Sequence, residues 1–571
     1  MKLRTILFAA AIAISMPLGA KERTLHIVAT GDIHGQFFDQ PYVEGGRNKT
    51  SLMSVKYYVD SLRSAVGKEN VLLLDAGDFL QGDNAAYYYN YVAVNKPHIY
   101  PRLASYMGYD AVVVGNHDIE TGHAVYDRVH RELNDAGIAF LSANYDHTDG
   151  RDYFPSYSCF KRGGMKVLVL GFGNANIKGW LSEELWKGMD FDRIAECAQM
   201  EVNRAVAAEK PDVVIVAVHS GTGSGENASI ESEGMELLKT LKGVDVLVTA
   251  HDHNPVVVGP LPGAGTILVN GGARCANVAH ATVSVKGKRR SVSGEIVRLN
   301  KNKVDVQMRE LFKDEFEQVK AFTNREVGEL AMPLRTRDAY CGMCDYLNLV
   351  HSVCLSIPEV QIAFNAPLTF NGSVKPGTII YNDMFTIYPF ENTLNVIRMS
   401  GQEVKDYLEY SYDSWIQTPG EHVLKIKEGA DARTGSSRWA FVNRSYNFDS
   451  AAGLVYTVDV TKPYGERVSI QSMADGSAFD PAASYTVAMT SYRANGGGGI
   501  LEKGAGIDNA EMQRRVVALY PEIREMVYRY IRENKKITPE LIGNPAVIGS
   551  WKFVPESVAN PLLEKDIKLI F

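Results

Sequence analysis

In the stretch VVVGNHDIETG, residues 112–122, three valines run into a glycine and then into Asn116, His117 and Asp118. An amide, an imidazole and a carboxylate at the end of a buried apolar run are groups that bind metal ions or move protons. The N-terminal half repeats the pattern. TLHIVAT ends in Gly31-Asp32-Ile33-His34, NVLLLDAG leads into Asp78, PDVVIVAV into His219, and VDVLVTA into His251-Asp252-His253. Carboxylate and imidazole suit borderline or hard divalent ions such as Zn, Mn, Fe or Mg, and no cysteine joins the set, which disfavours a thiolate site. Asp32 and His34 are two apart, as are His251 and His253, so each pair lies on one side of an extended chain. With Asp78, Asn116 and His219 these are too many ligands for one four-coordinate ion and match two ions that share Asp78. Two ions about 3.5–4 Å apart can activate a water and clamp the oxygens of a phosphoryl group during in-line displacement.

These groups need rigid elements to position them. Seven short apolar runs, TLHIVAT, NVLLLDAG, YDAVVVG, MKVLVLGFG, PDVVIVAV, VDVLVTA and GTILVNG, read as buried strands. Helix-like segments such as SLMSVKYYVDSLRSAV separate them, which predicts an α/β domain built on packed sheets. Five of the seven runs deliver His, Asp or Asn at their carboxyl ends, the edge where ligands and catalytic groups collect in α/β sheets. Residues 21–310 form this domain. Residues 311–334 read as a linker helix, and residues 335–540 as a second domain with its own signals, EVKDYLEYSYDSWI for a helix and LVYTVDV and SYTVAMT for strands. Residues 541–571 read as an irregular tail that packs back on the fold. A chain of 571 residues is too long for a single core, in keeping with two domains.

The N-terminus, MKLRTILFAAAIAISMPLGA, has Lys2 and Arg4, an apolar run, and small residues at Gly19 and Ala20, the pattern of a secretory signal over residues 1–20. No later stretch is long and apolar enough to span a bilayer, so the expectation is an exported, periplasmic or secreted protein without a membrane span. The net charge of −7 argues against a nucleic-acid polymer or an anionic membrane as main partner. Six cysteines include Cys341-Gly-Met-Cys344, read as a local disulfide or two free thiols rather than a redox motif. His26, His98, His123, His130, His147, His280, His351 and His422 fall in no strand-end pattern and are assigned to surface or core.

The ordered set D-x-H, G-D, G-N-H-D, H and H-x-H resembles the calcineurin-like metallophosphoesterases. With its C-terminal half included, nearly the whole chain resembles the periplasmic 5′-nucleotidase and 2′,3′-cyclic-nucleotide 2′-phosphodiesterase/3′-nucleotidase family. The resemblance implies a βαβ sandwich of two mixed sheets flanked by helices, followed by a C-terminal α/β (α+β) substrate-binding domain. It implies two divalent ions, with Zn, Mn, Co, Fe and Mg as candidates, and a small nucleotide as substrate. Asp32, His34, Asp78 and His253 would hold the first ion, and Asp78, Asn116, His219 and His251 the second. His117 would face the phosphate and assist the leaving oxygen, oriented by a neighbouring acid. The 5′-nucleotidase pattern is N-H-[ED]-x-D, and this chain has Glu120 where Asp is usual.

In the family the second domain clamps the nucleobase between two aromatic rings. The matching segments are Tyr446-Asn447-Phe448-Asp449 and Ser491-Tyr492-Arg493-Ala494-Asn495 with the glycines that follow, which nominates Phe448 and Tyr492 as the clamp, with Arg493 and Asn495 beside it. The N-x-G-G-I-R segment of 5′-nucleotidases corresponds here to Asn365-Ala366-Pro367-Leu368-Thr369-Phe370, without the glycine pair or the arginine, and Gly498 stands where those enzymes carry Asp. Tyr492-Arg493-Ala494 and Phe390-Glu391-Asn392-Thr393 look more like the cyclic phosphodiesterase/3′-nucleotidase branch. The alternatives are a 5′-nucleotidase or UDP-sugar hydrolase with the same metals, and a non-catalytic nucleotide-binding protein.

Overall fold

The computed structural model describes residues 22–224, 229–261, 265–287, 289–430 and 437–571. The leader expected over residues 1–20 lies outside them. All seven apolar runs are strands, but they divide between two six-stranded sheets. The first sheet has the spatial order Arg289–Arg298, Asn277–Lys286, Arg23–Thr30, Val71–Asp75, Ala111–Val113, Ala139–Leu141. Its last four strands are parallel, and the other two are antiparallel. The second has the order Val256–Val258, Ile267–Asn270, Val246–Thr249, Val213–Val218, Met165–Phe172, Tyr157–Arg162, with four parallel strands between two antiparallel edges.

The sheets pack face to face through Ile27, Leu72, Leu74, Val169, Ile215, Val248 and their neighbours, all buried. Helices Leu52–Val66, Ile99–Met107 and His123–Asp135 cover the outer face of the first sheet, and Ile194–Glu209 and Gly234–Thr240 cover the second. Strands buried on both faces must be apolar throughout, which is why they read as continuous Val, Ile and Leu runs. Helix Leu52–Val66 starts at Ser51, whose side chain accepts from the Met53 N–H, and buries Leu52, Met53, Val55 and Val59.

Helix Lys313–Thr323 joins the two halves: Phe316 and Val319 sit in the first core, and Phe322 in the second. The extended segment Glu326–Leu330 already belongs to the second domain, since it pairs with Gly377–Ile380 and Lys536–Ile537. The second domain is built on a five-stranded sheet ordered Ser450–Ala452, Ile362–Asn365, Ser484–Thr490, Thr393–Ser400, Val516–Glu522. Helices Asp345–Leu355 and Ile523–Asn534 pack on one face, and helix Gly401–Trp415 on the other.

The last residues are not the irregular tail expected from the sequence. Gly549–Val554 is a strand parallel to Leu454–Asp459, and Glu556–Ile570 is a helix. In GSWKFV, Trp551 and Phe553 alternate with exposed residues and enter the second core, which ties the segment down. The six cysteines, Cys341 and Cys344 among them, are free. No helix among the described residues is long and apolar enough to cross a membrane.

The domains meet around Tyr87. Its ring packs against Phe322, Tyr381 and Phe385 at 5.7–6.2 Å between centroids. The buried Arg524 guanidinium lies over the same ring at 4.7 Å, and Asn84 Nδ2 donates to Asn382 Oδ1 at 3.1 Å.

Candidate active site

The strand ends of both sheets converge on one point. Arg23–Thr30, Val71–Asp75 and Ala111–Val113 of the first sheet lead to Asp32 and His34, to Asp78 and to Asn116; Val213–Val218 and Val246–Thr249 of the second lead to His219 and to His251 and His253. The turns that aim these side chains are strained. Asp32 (φ 49), His34 (φ 49), Asp78 (φ 62), His251 (φ 76) and His253 (φ 57) all occupy the left-handed region, five of the nine non-glycine residues described there. Each such residue costs on the order of 1–3 kcal/mol and persists only where its surroundings hold it.

Asp118 does this for the Asp78 turn. Its carboxylate accepts from the backbone N–H groups of Asp78, Phe79, Leu80 and Gly115 at 2.8–3.0 Å, which ties the Asp78 turn to the Asn116 turn. Gly115 allows the contact: a Cβ there would lie 2.2 Å from Asp78 Oδ1. The carboxylate after His117 is therefore structural.

Two groups of three ligands result, Asp32, His34 and His253 in one, and Asp78, His219 and His251 in the other, each with ligand atoms within 4.8 Å of one another. His34 Nε2 and His253 Nε2 face each other at 2.9 Å. His219 Nε2 is 3.0 Å from Asp78 Oδ2 and 4.0 Å from Asp32 Oδ1. Asn116 Oδ1 lies 3.0 Å from His251 Nδ1, which adds the amide to the second group.

The donor set fits divalent ions. His34 Nδ1–H donates to the Gln81 carbonyl at 3.2 Å, and His219 Nδ1–H to the Ala76 carbonyl at 2.7 Å, so each ring turns its Nε2 inward. Asp32 Oδ1 and His219 Nε2 are buried without a hydrogen bond; the approach of His219 to Asp78 has the distance of one but not the angle. Burial pushes the Asp32 carboxyl up to about 8, against the pull of His219 and with Asp78 adding to the rise. Burial likewise lowers His34, His251 and His253, which keeps their lone pairs available.

His117 stands beside this cluster, its ring 5.4 Å from that of His34. Its Nδ1 is bonded to Glu120 one helical turn on, so the longer acid reaches the imidazole. Its backbone N–H donates to Asp78 Oδ1 at 2.8 Å. Burial disfavours the charged ring, but Asp78 and Glu120 outweigh it and raise the pKa to about 10.

A cavity of about 620 Å³ opens from this cluster, with Asp78, Asn116, His117, Glu120, His251 and His253 on its N-terminal wall. Tyr446, Tyr492, Phe390, Phe364, Asn365 and Arg444 line the facing wall. Phe448 does not line it. Its ring is fully buried, stacked on Trp415 at 5.5 Å and edge-on to Phe441 at 5.2 Å, so it is a core residue and the clamp assignment is corrected. Two positions earlier, Tyr446 faces the cavity and meets Tyr492 at 6.4 Å, nearly perpendicular. The turn Ser445–Asn447 decides which ring points inward, and no sequence pattern marks that choice.

Arg493 also differs from expectation. Its five N–H donors meet Asp449 twice, Asn447 Oδ1 and the carbonyls of Tyr446 and Gly497, at 2.6–3.0 Å. It has no donor left for a ligand; it braces the two segments that carry Tyr446 and Tyr492. A side chain at Gly497 would strike the Tyr492 ring, and one at Gly498 would strike Asn447 and Arg493, which leaves no space there for an acid. Asn365 lines the cavity while its Nδ2 bonds His351 Nδ1 at 3.0 Å. Asn495 turns its Nδ2 to the Trp180 carbonyl of the other domain at 3.0 Å. Trp180 lies outside every motif of the sequence, yet it lines the cavity and stacks on His251.

Comparison with known proteins agrees with this architecture. The profile of calcineurin-like phosphoesterases matches residues 25–255, and that of the 5′-nucleotidase C-terminal domain matches residues 322–503. A trifunctional nucleotide phosphoesterase of Bacillus subtilis is 22% identical over 95% of this chain, which spans only 40% of that protein's length. A 2′,3′-cyclic-nucleotide 2′-phosphodiesterase/3′-nucleotidase of Salmonella typhimurium is 23% identical over 95% of this chain and 91% of its own. Among solved structures, a Staphylococcus aureus protein provisionally described as a 5′-nucleotidase superposes with a TM-score of 0.76 at 22% identity, covering 93% of this chain and 99% of that one.

Proposed function

Because the chain belongs to the calcineurin-like phosphoesterases that carry a 5′-nucleotidase C-terminal domain, and so is a hydrolase of nucleotide phosphate esters, we propose that it cleaves 2′,3′-cyclic nucleotides and 3′-nucleotides with two divalent ions. The observation that carries the finer reading is the C-terminal wall. At the strand end where the 5′-nucleotidase pattern has a substrate-gripping arginine, Asn365, Ala366 and Leu368 line the cavity, and the arginines of the lining, Arg444 and Arg493, come from other segments. The Salmonella relative, similar along most of both chains, supports the same branch.

On this reading Asp32, His34, Asp78 and His253 hold one ion, and Asp78, Asn116, His219 and His251 the other; bound there, the pair supplies Lewis-acid stabilisation of phosphoryl charge and lowers the pKa of water. The base enters between Tyr446 and Tyr492, where stacking contributes about 1–3 kcal/mol for any base. Hydrolysis joins a water oxygen to phosphorus and breaks the P–O2′ bond of the cyclic ester, or the P–O3′ bond of the 3′-nucleotide. Glu120 fixes His117 through Nδ1, so Nε2 faces the cavity and gives its proton to the departing oxygen. Arg493 keeps the two clamp segments in register without touching substrate.

The test is kcat/KM on 2′,3′-cyclic AMP, 3′-AMP, 5′-AMP and UDP-glucose, each with Mn, Zn, Co or Mg. The first two should lead. A second reading, 5′-nucleotidase, draws on the name of the C-terminal domain match; a clear lead for 5′-AMP would replace the first reading with it.

A further inference from the structure

The wall between the cavity and the C-terminal domain contains a residue that no motif nominates. Trp180 ends the short helix Ile177–Trp180, which follows Asn176. Asn176 Nδ2 donates to Glu231 Oε1 at 3.0 Å. Gly179 permits this turn, since a Cβ there would lie 2.3 Å from Asn176 Oδ1. Burial raises the Glu231 carboxyl, and the hydrogen bond from Asn176 works against it; Glu231 and Trp180 line the same cavity. From this short helix the Trp180 ring stacks on His251 with centroids 5.3 Å apart and planes 26° from parallel.

His251 is bounded on its other sides by the His219 ring at 5.4 Å and by Asn116 Oδ1 at 3.0 Å. An imidazole can turn about its last torsion, and a flat ring laid against it removes that freedom. Trp180 is also tied to the other domain. Asn495, almost wholly buried, donates from Nδ2 to the Trp180 carbonyl at 3.0 Å, three residues beyond the clamp residue Tyr492. Trp180, Glu231 and Tyr492 also line a second cavity, of about 470 Å³, so Trp180 is a partition with space on both sides.

We propose that Trp180 is a positioning residue that holds the His251 imidazole and carries the seating of the C-terminal domain, through Asn495, to the metal centre. The proposal rests on the metal assignment above. Partners of a ligand that fix its orientation are worth about 10- to 100-fold in metal affinity, and contacts acting in series are non-additive.

The experiment is calorimetric titration of the metal-free full-length protein with Mn2+, alongside kcat and KM on the best nucleotide substrate. Trp180→Ala should weaken one of the two Mn2+ sites by about 10-fold or more and leave the other within error. Trp180→Phe, which keeps a ring but not the N–H, should recover most of that loss. Asn495→Ala should lower kcat in the wild-type background and have no further effect in Trp180→Ala. Two unchanged Mn2+ affinities in Trp180→Ala would overturn the proposal, as would an Asn495→Ala effect of full size in that background. A wild-type protein that fails to bind two Mn2+ ions would instead overturn the metal assignment itself.

Discussion

On the N-terminal wall of the cavity, Asp32, His34, Asp78, His251 and His253 leave their strands in left-handed backbone, with the Asp78 turn locked by one buried carboxylate, Asp118, and the Asp32, His34 and His251 turns tied to it and to one another through backbone N–H groups. On the facing wall, Tyr446 and Tyr492 sit outside the left-handed region and are braced by one buried guanidinium, Arg493. The first wall concentrates carboxylates and imidazoles at a point; the second engages Arg493 with Asp449 and presents flat rings. A centre that must hold cations needs fixed donors at short range, and strain is the cost of aiming them. A surface that must hold bases needs only breadth, because every base has a π-face. The difference implies that the first wall sets turnover and the second sets affinity, and variants can separate the two.

The largest effect belongs to the charged wall. Asp78→Ala or His219→Ala should abolish turnover while the protein stays folded, as judged by circular dichroism, and chelation of divalent ions should do the same to the wild type. Near-normal kcat in either variant would remove the basis for the comparison. Next comes the proton donor: His117→Ala should lower kcat by about 100- to 10,000-fold with KM little changed, measured in steady state.

Across the cavity, Tyr446→Ala should raise KM by roughly 5- to 150-fold, the equivalent of one stacked base, and leave kcat nearly intact. Phe448→Ala supplies the contrast two residues away. It should cost about 3–5 kcal/mol of stability as a large-to-small core change, read by denaturant unfolding, and leave KM unaltered where the protein is folded. If Phe448→Ala raised KM and Tyr446→Ala did not, the assignment of the clamp would be reversed.

The smallest expected effect concerns acid stability behind the second wall. Burial holds the His351 imidazole at about 3, where its Nδ1 accepts from Asn365. An unfolded histidine titrates near ~6.5, so as pH falls from there the unfolded chain binds a proton that the folded chain refuses. Stability present above that value is lost on the way down toward about 3. Tm should therefore fall between pH 6.5 and 4.5, and His351→Gln should flatten part of that slope in thermal scans. His98 in the first domain is held at about 3 by burial as well, so a residual slope should survive the substitution.

The catalytic wall was largely legible in the sequence because its side chains follow buried strands at fixed offsets. A run such as VDVLVTA announces its own end, and His251 and His253 follow at once. The clamp was legible only as a segment. Tyr446 and Phe448 are both aromatic and both near a strand, and one turn of 3-10 helix sends one ring to the cavity and the other to Trp415. Arg493 looked like a ligand because a lone arginine beside a glycine-rich loop carries no sign of the Asp449 partner 44 residues away.

By itself the sequence determined the strands, the two-domain order and the set of donors at the strand ends, since local periodicity and composition decide which segments are buried and where they stop. Only the tertiary structure decided that these ends come from two sheets, that Tyr446 and not Phe448 faces the cavity, that Arg493 is fully engaged within its own domain, and that Trp180 meets both His251 and Asn495. Those facts depend on contacts between residues tens to hundreds of positions apart, and neither periodicity nor spacing along the chain encodes such distances.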